Sequence, residues 1–324
     1  MNGPQTDERT LPVVRVDAIA PQDAGPAWLI EELWGAAAVG LIGGHPKCGK
    51  TWLGLDLALS VASGTACLGC YPVRQPGPVL VYLAEDSLAT VRQRVEAMAK
   101  HRGLALSQLD LHVITAPRLR LDDPGDHDRL LRTVQVLGPR LLLLDPLVRL
   151  HQANENDAVE MAQLLCGLRE LQKRFQVAVA VVHHIRKNGG AGAQPGQGLR
   201  GSSDLWAWSD SNLYLRREQR QLVLCMEHRA APAPDPVVLR LAEDDPARLH
   251  LEVVGKDPPR SCDRSLEERI VEVLAEVPSI TRGQLRARLQ VKNETLGRVL
   301  DRLQEQGRVD RGPDGCRLAK AETP

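Results

Sequence analysis

The chain has 324 residues, room for one large domain and one small one. Its 41 basic and 41 acidic residues cancel, so no global basic field argues for nucleic acid, and any such binding must rest on local patches. Seven scattered cysteines are an odd set and make no disulfide framework, and scarce aromatic residues leave the core to Leu, Val, Ile and Ala.

Residues 1–25 are rich in Pro, Asp and Gln and read as a flexible N-terminal tail. The first ten are polar and lack the apolar stretch of a signal peptide. No segment has the length and apolarity of a membrane span, so the sequence reads as a soluble, cytoplasmic protein with no membrane partner.

Strands and helical segments then alternate over residues 26–256. An apolar strand at 39–42 runs into Gly44-His45-Pro46-Lys47-Cys48-Gly49-Lys50-Thr51, and a helix follows at 52–62. This is the G-x-x-x-x-G-K-T phosphate-binding loop in the strand–loop–helix setting it requires. Glycines let backbone N–H groups close around phosphate oxygens, and the helix N-terminus adds its partial positive charge. Lys50 can reach the β- and γ-phosphates, and the Thr51 hydroxyl can bind Mg²⁺. Cys48 within the loop is open to oxidants without being catalytic. Cys67-Leu68-Gly69-Cys70 is a lone C-x-x-C and reads as incidental thiols, with a redox or metal role as the alternative.

A strand at 79–83 is followed by Glu85 and Asp86, two carboxylates at one sheet edge. Glu85 reads as the general base that orients the attacking water. Asp86 reads as the cap of a helix at 87–102, with catalysis as its second role. A short strand at 111–115 and a helix at 126–137 lead to a buried strand at 140–145, written as four leucines and an aspartate. Asp145 at its C-terminal end is the Walker B candidate for Mg²⁺; a turn cap at Asp145-Pro146 is the alternative. A long helix at 158–175 precedes a buried strand at 177–183 that ends in His183 and His184. Alternation sends one ring toward the site and one into a helix layer. A histidine at this edge could sense the γ-phosphate, and a structural histidine is the alternative. Continuous apolar strands separated by helices predict an α/β fold with a mainly parallel sheet covered on both faces.

Residues 187–199 are Gly-rich and read as a mobile loop. Its flanks carry Arg186, Lys187 and Arg200, which suit a nucleic-acid backbone; an ordinary solvated loop is the alternative. Strands at 212–216 and 221–227 and a hairpin at 237–254 should add antiparallel strands. A linker at 257–264 contains Asp257-Pro258-Pro259. Helices at 266–277, 281–289 and 292–306 and a hairpin at 309–318 then predict a winged helix-turn-helix over 265–320. Its third helix carries Lys292, Asn293, Thr295, Arg298 and Arg302, a set that could enter a major groove. Glu294, Asp301 and Glu305 dilute the field, and protein docking is the alternative.

Together the loop at 44–51, Ala84-Glu85-Asp86, Leu141–Asp145, Glu155-Asn156-Asp157, His183-His184 and Arg200-Gly201-Ser202-Ser203 resemble the RecA-like AAA family ATPases related to the plasmid replicative helicase RepA. The resemblance covers residues 26–230. It implies a RecA-type core with ATP and Mg²⁺ as cofactors, and a homo-oligomer, a hexamer, acting on single-stranded DNA. Under it Lys50 and Thr51 hold phosphate and Mg²⁺, Glu85 is the catalytic glutamate, Asp145 the Walker B aspartate and His184 the γ-phosphate sensor. The loop 187–199 would face the DNA channel. The winged helix lies beyond the resemblance, and a duplex DNA partner there follows from the residues of its third helix alone. That group supplies an arginine finger from a neighbouring subunit after the R-G-S-S motif, but residues 204–212 here hold no arginine. Arg200, Arg216 and Arg217 are the nearest candidates, the last two following a strand as in DnaB-type helicases. The function implied is an ATP-dependent DNA helicase or DNA-translocating motor in replication or mobile-element maintenance. A non-motor, ATP-switched DNA-binding regulator or loader and a recombination or repair ATPase are the alternatives.

Overall fold

A computed structural model describes residues 13–19, 27–155, 157–184, 203–218, 221–242, 245–256, 266–275, 277–289, 291, 293–312 and 315–319. Of the N-terminal tail, the described part makes one 3-10 turn at Val16–Ala18, with Val13, Val14, Val16 and Ile19 exposed.

The large domain opens with a small hairpin that the sequence reading lacks, β1 (Trp28–Ile30) and β2 (Trp34–Gly35). It continues with β3 (Val39–Gly44), α1 (Lys50–Ser63), β4 (Val79–Leu83), α2 (Leu88–His101), β5 (Leu111–Val113), α3 (Pro124–Leu137), β6 (Leu141–Asp145), α4 (Ala158–Phe175) and β7 (Ala178–His184). A short unpredicted helix, α5 (Ser203–Trp208), comes before β8 (Ser211–Glu218), β9 (Gln221–His228), β10 (Val237–Ala242) and β11 (His250–Lys256). Local chemistry sets the helix ends. The Ser87 hydroxyl caps α2 by accepting from the Thr90 N–H, and Asp157 caps α4 by accepting from Val159 and Glu160. Asp86 is therefore not the cap expected of it.

The strands form a nine-stranded sheet in the order β11-β10-β9-β8-β3-β7-β6-β4-β5. From β5 to β8 neighbours run parallel, and from β8 to β11 they run antiparallel, as expected. Both faces are buried, which is why the strands read as continuous apolar runs. Leu141 and Leu143 of β6 join the layer of α1 and α2, while Leu142 and Leu144 join the layer of α3 and α4.

The C-terminal residues contain α6 (Leu266–Ala275), α7 (Arg282–Leu289), α8 (Asn293–Glu305) and a hairpin of β12 (Val309–Gly312) with β13 (Gly315–Leu318). These are the three helices and hairpin expected, around a core that includes Ile270, Leu285, Leu296, Leu300 and Leu303. The linker at 257–264 lies outside the described residues. Among the described residues no helix is long and apolar enough to cross a membrane.

Candidate functional site

Strand β3 lies in the middle of the sheet and ends at Gly44; the chain then turns through residues 45–49 and enters α1 at Lys50. The turn needs its glycines. Gly49 has φ +93°, and a Cβ on Gly44 would stand 2.6 Å from both Cys48 Sγ and the Leu215 carbonyl oxygen. Cys48 folds inward beneath the loop, and burial pushes its thiol above the ordinary value. It is thus a poor target for oxidants, contrary to the sequence expectation.

Lys50 is 6% exposed and its Nζ donates to the carbonyl oxygens of Gly44 at 3.0 Å and His45 at 2.8 Å. Burial lowers its pKa, while Cys48, Asp145 and Glu85 act in the opposite direction. The ammonium is therefore held at the mouth of the loop by the loop's own carbonyls, where phosphate oxygens would compete for it. His45 and Pro46 are exposed at the loop's outer turn.

Three further strands bring their ends to this place. Asp145, the last residue of β6, is 6% exposed and accepts a hydrogen bond of 2.7 Å from the Thr51 hydroxyl. Burial pushes its carboxyl up to about 6, against the Thr51 hydrogen bond and the Lys50 charge, which lower it. Glu85, just past β4, is exposed and accepts from Arg149 Nε at 2.8 Å. Asp86 pairs with Arg94 at 2.5 Å, and that guanidinium lies 5.6 Å from the centre of the Trp52 ring. At the end of β7, His183 is buried and His184 is half-buried; His184 is the ring on the site side.

These groups share a cavity of about 390 Å³. Its polar wall includes Lys50, Thr51, Glu85, Asp145, His184 and Arg217. Leu222, Leu241 and Leu251 supply an apolar wall from the antiparallel strands. Sequence reasoning missed Trp52, Arg94, Arg149 and the three leucines, because strand pairing and helix packing alone bring them here.

Arg217 apart, the other predicted residues stand elsewhere. Arg216 pairs across β8 and β9 with Val223, on the α4 side of the sheet, while Arg217 pairs with Leu222 on the α1 side. Arg186, Lys187, Arg200, Lys292 and the loop 187–199 lie outside the described residues. Asn293, Arg298 and Arg302 are exposed on α8, but Arg302 is paired to Glu267 of α6 at 3.0 Å. In the C-x-x-C, Cys67 is buried and its thiol donates to Asp56 at 3.2 Å, while Cys70 is exposed.

A family model described as an AAA domain matches residues 4–190. That span carries Lys50, Thr51, Glu85, Asp145 and His184, and stops before Arg217. Among solved structures, the ATPase domain of G40P is similar at a TM-score of 0.52 and 16% identity, over 66% of this chain and 84% of that one. A structure of a DnaB-like replicative helicase and its interactions with primase gives a TM-score of 0.51 and 15% identity, over 66% of this chain. The match spans 57% of that helicase chain. At these identities the likeness is one of fold.

Proposed function

The chain belongs to the AAA domain family, and from that premise we propose that it is a Mg²⁺-dependent ATPase with a RecA-like core, working as a DNA helicase or DNA-translocating motor in replication or mobile-element maintenance. The observation that carries this reading is the meeting of Lys50, Thr51, Asp145, Glu85 and His184 in one cavity at the C-terminal edge of the sheet.

The residues present fit the cation. Asp145 and Thr51 offer two hard oxygens 2.7 Å apart, and the buried carboxylate is costly to ionise without a positive partner. Asp145 and Thr51 would hold Mg²⁺, and the cation would supply positive charge to offset that of the phosphates. Backbone N–H groups of the loop and Lys50 grip the phosphates. Glu85 accepts a proton from the attacking water and aims its oxygen at the γ-phosphorus; Arg149 fixes the carboxylate for that task. His184, at the end of β7, contacts the γ-phosphate and passes its presence to the segment beyond residue 184.

DNA is the partner this reading requires, in a ring of identical chains, most simply a hexamer, with single-stranded DNA at the ATPase core. Likeness to the ATPase domain of G40P supports the ATPase reading, and likeness to a DnaB-like replicative helicase supports the motor. The helices and hairpin at 266–318 fit a winged helix-turn-helix that meets duplex DNA through Asn293 and Arg298. A second reading, an ATP-switched regulator or loader, draws on the separate core of that C-terminal unit.

ATP turnover with and without single-stranded DNA tests the proposal. Turnover is expected to rise with DNA in the natural protein and to vanish in Lys50→Ala. Unchanged turnover in Lys50→Ala would sink the site assignment. DNA-stimulated strand displacement favours the motor, whereas tight duplex binding with negligible turnover favours the regulator.

A further inference from the structure

The hairpin of β8 and β9 extends past the strand it leans on. Strand β8 runs parallel to β3 and is paired with it only as far as Gly44 with Leu215. It then continues through Arg216 and Arg217 to Glu218. At about 3.3 Å per residue, Arg217 stands roughly 7 Å beyond the end of β3, over the phosphate loop.

Its side chain is on the loop side of the sheet. Leu213 and Leu215 pack in the layer of α1, Tyr214 packs in the opposite layer, and alternation gives Arg217 the first of these faces. The residue directly across the hairpin, Leu222, confirms the assignment, since its Cδ2 would lie 3.8 Å from a Cβ on Gly49. Arg217 and Leu222 both line the cavity bounded by Lys47 to Thr51 of the same chain. The Arg217 charge is near enough to Cys48 to act on its thiol.

We propose that Arg217 contacts the phosphates of a nucleotide held by its own chain, acting in cis and not as a finger reaching into a neighbour's site. The proposal rests on the nucleotide reading of the loop. Phosphate is a strong acceptor for a guanidinium, and an exposed arginine at a hairpin end has the freedom to close on it. The hairpin would then serve as a hinge-free arm: its base is fixed by pairing to β3, and only the arginine side chain moves.

Two measurements separate the possibilities. The first is affinity for ATP, by fluorescence titration, in the natural protein and in Arg217→Ala, Arg217→Gln and Lys50→Ala. Both Arg217 variants are expected to bind ATP about 10- to 100-fold more weakly, the range for loss of a hydrogen bond to a charged group. If Arg217→Gln binds normally and only Arg217→Ala fails, the loss is structural and the proposal falls. Normal affinity in both variants overturns it as well. The second measurement mixes Arg217→Ala chains with Lys50→Ala chains and follows ATP hydrolysis. A residue acting in cis leaves the mixture no more active than its parts. Restored activity would mean that the Lys50→Ala chain lends its arginine to a neighbour, which overturns the proposal. If Lys50→Ala itself binds ATP as the natural protein does, the loop reading fails first, and the cis contact fails with it.

Discussion

Asp145 joins structure to pH. Its carboxyl is pushed from 3.8 to about 6 because burial penalises the ionised form in the folded chain alone. The folded state thus holds this proton more tightly than the unfolded state does. Its contribution to stability is fully present below about pH 4, is lost as pH rises through about 6, and is constant above that. The shift of about two units corresponds to about 3 kcal/mol. Asp145→Asn should remove this slope, so urea midpoints measured between pH 4 and 7 should show the variant gaining on the natural protein as pH rises. A parallel slope in both would contradict the account. If Asp145 holds Mg²⁺ as proposed, the cation requires the ionised carboxylate, and Mg²⁺-dependent ATP affinity should fall as pH drops below about 6. Glu85 acts differently. It is exposed and paired with Arg149, and under the proposed role Glu85→Gln should keep ATP affinity while hydrolysis falls by about 100-fold or more. Lost binding in that variant would point to a structural role.

Helix α1 carries the loop's lysine and threonine, and its position depends on a buried ion pair. Asp56 is 1% exposed and accepts from Arg102 at 2.5 Å and from the Leu68 N–H at 2.7 Å. Arg102, at the end of α2, also donates to Ser60 at 2.8 Å and Thr65 at 2.9 Å. Arg102→Met would leave a buried carboxylate without its cation, at a cost of about 3–5 kcal/mol, visible as a lower denaturation midpoint. An unchanged midpoint would show that the pair contributes nothing. Elements with strong periodicity or composition were legible in the sequence: the four leucines of β6, the whole of α4, and β4 to the residue. The hairpin of β1 and β2 was not, since strands of three and two residues are too short to show alternation. Helix α5 is six residues long and offers less than two turns of pattern. The contacts of Arg94 and Arg149 escaped for another reason: each depends on where a different element ends. The loop itself, Asp145 and Glu85 were legible because parallel sheets gather strand ends at one edge.

The apolar core of the described residues falls into separate sets before and after residues 257–265. Among the described residues, the two layers around the large sheet include no buried residue beyond Leu251, and the C-terminal core includes none before Ile270. A protein ending at residue 256 should therefore fold and bind ATP with unchanged affinity. If the winged-helix reading holds, the truncation should weaken duplex DNA binding and flatten its salt dependence, as expected when phosphate-contacting cations are removed. Duplex affinity equal to that of the full chain would assign DNA contact to the ATPase domain alone.

The placement of β3 has a consequence for how the protein is made. Both of its sheet neighbours come late in the chain: β7 ends at His184, and β8 meets β3 through Leu215. During synthesis the phosphate loop leaves the ribosome well before its support, since the strand that carries it stays unpaired until β7, more than 130 residues further on, has followed. Such distant pairings are slow to form and leave apolar strand surface open to wrong partners in the meantime. The interval between making β3 and making β8 is thus when this chain is most exposed to aggregation, and when a chaperone would have most to protect.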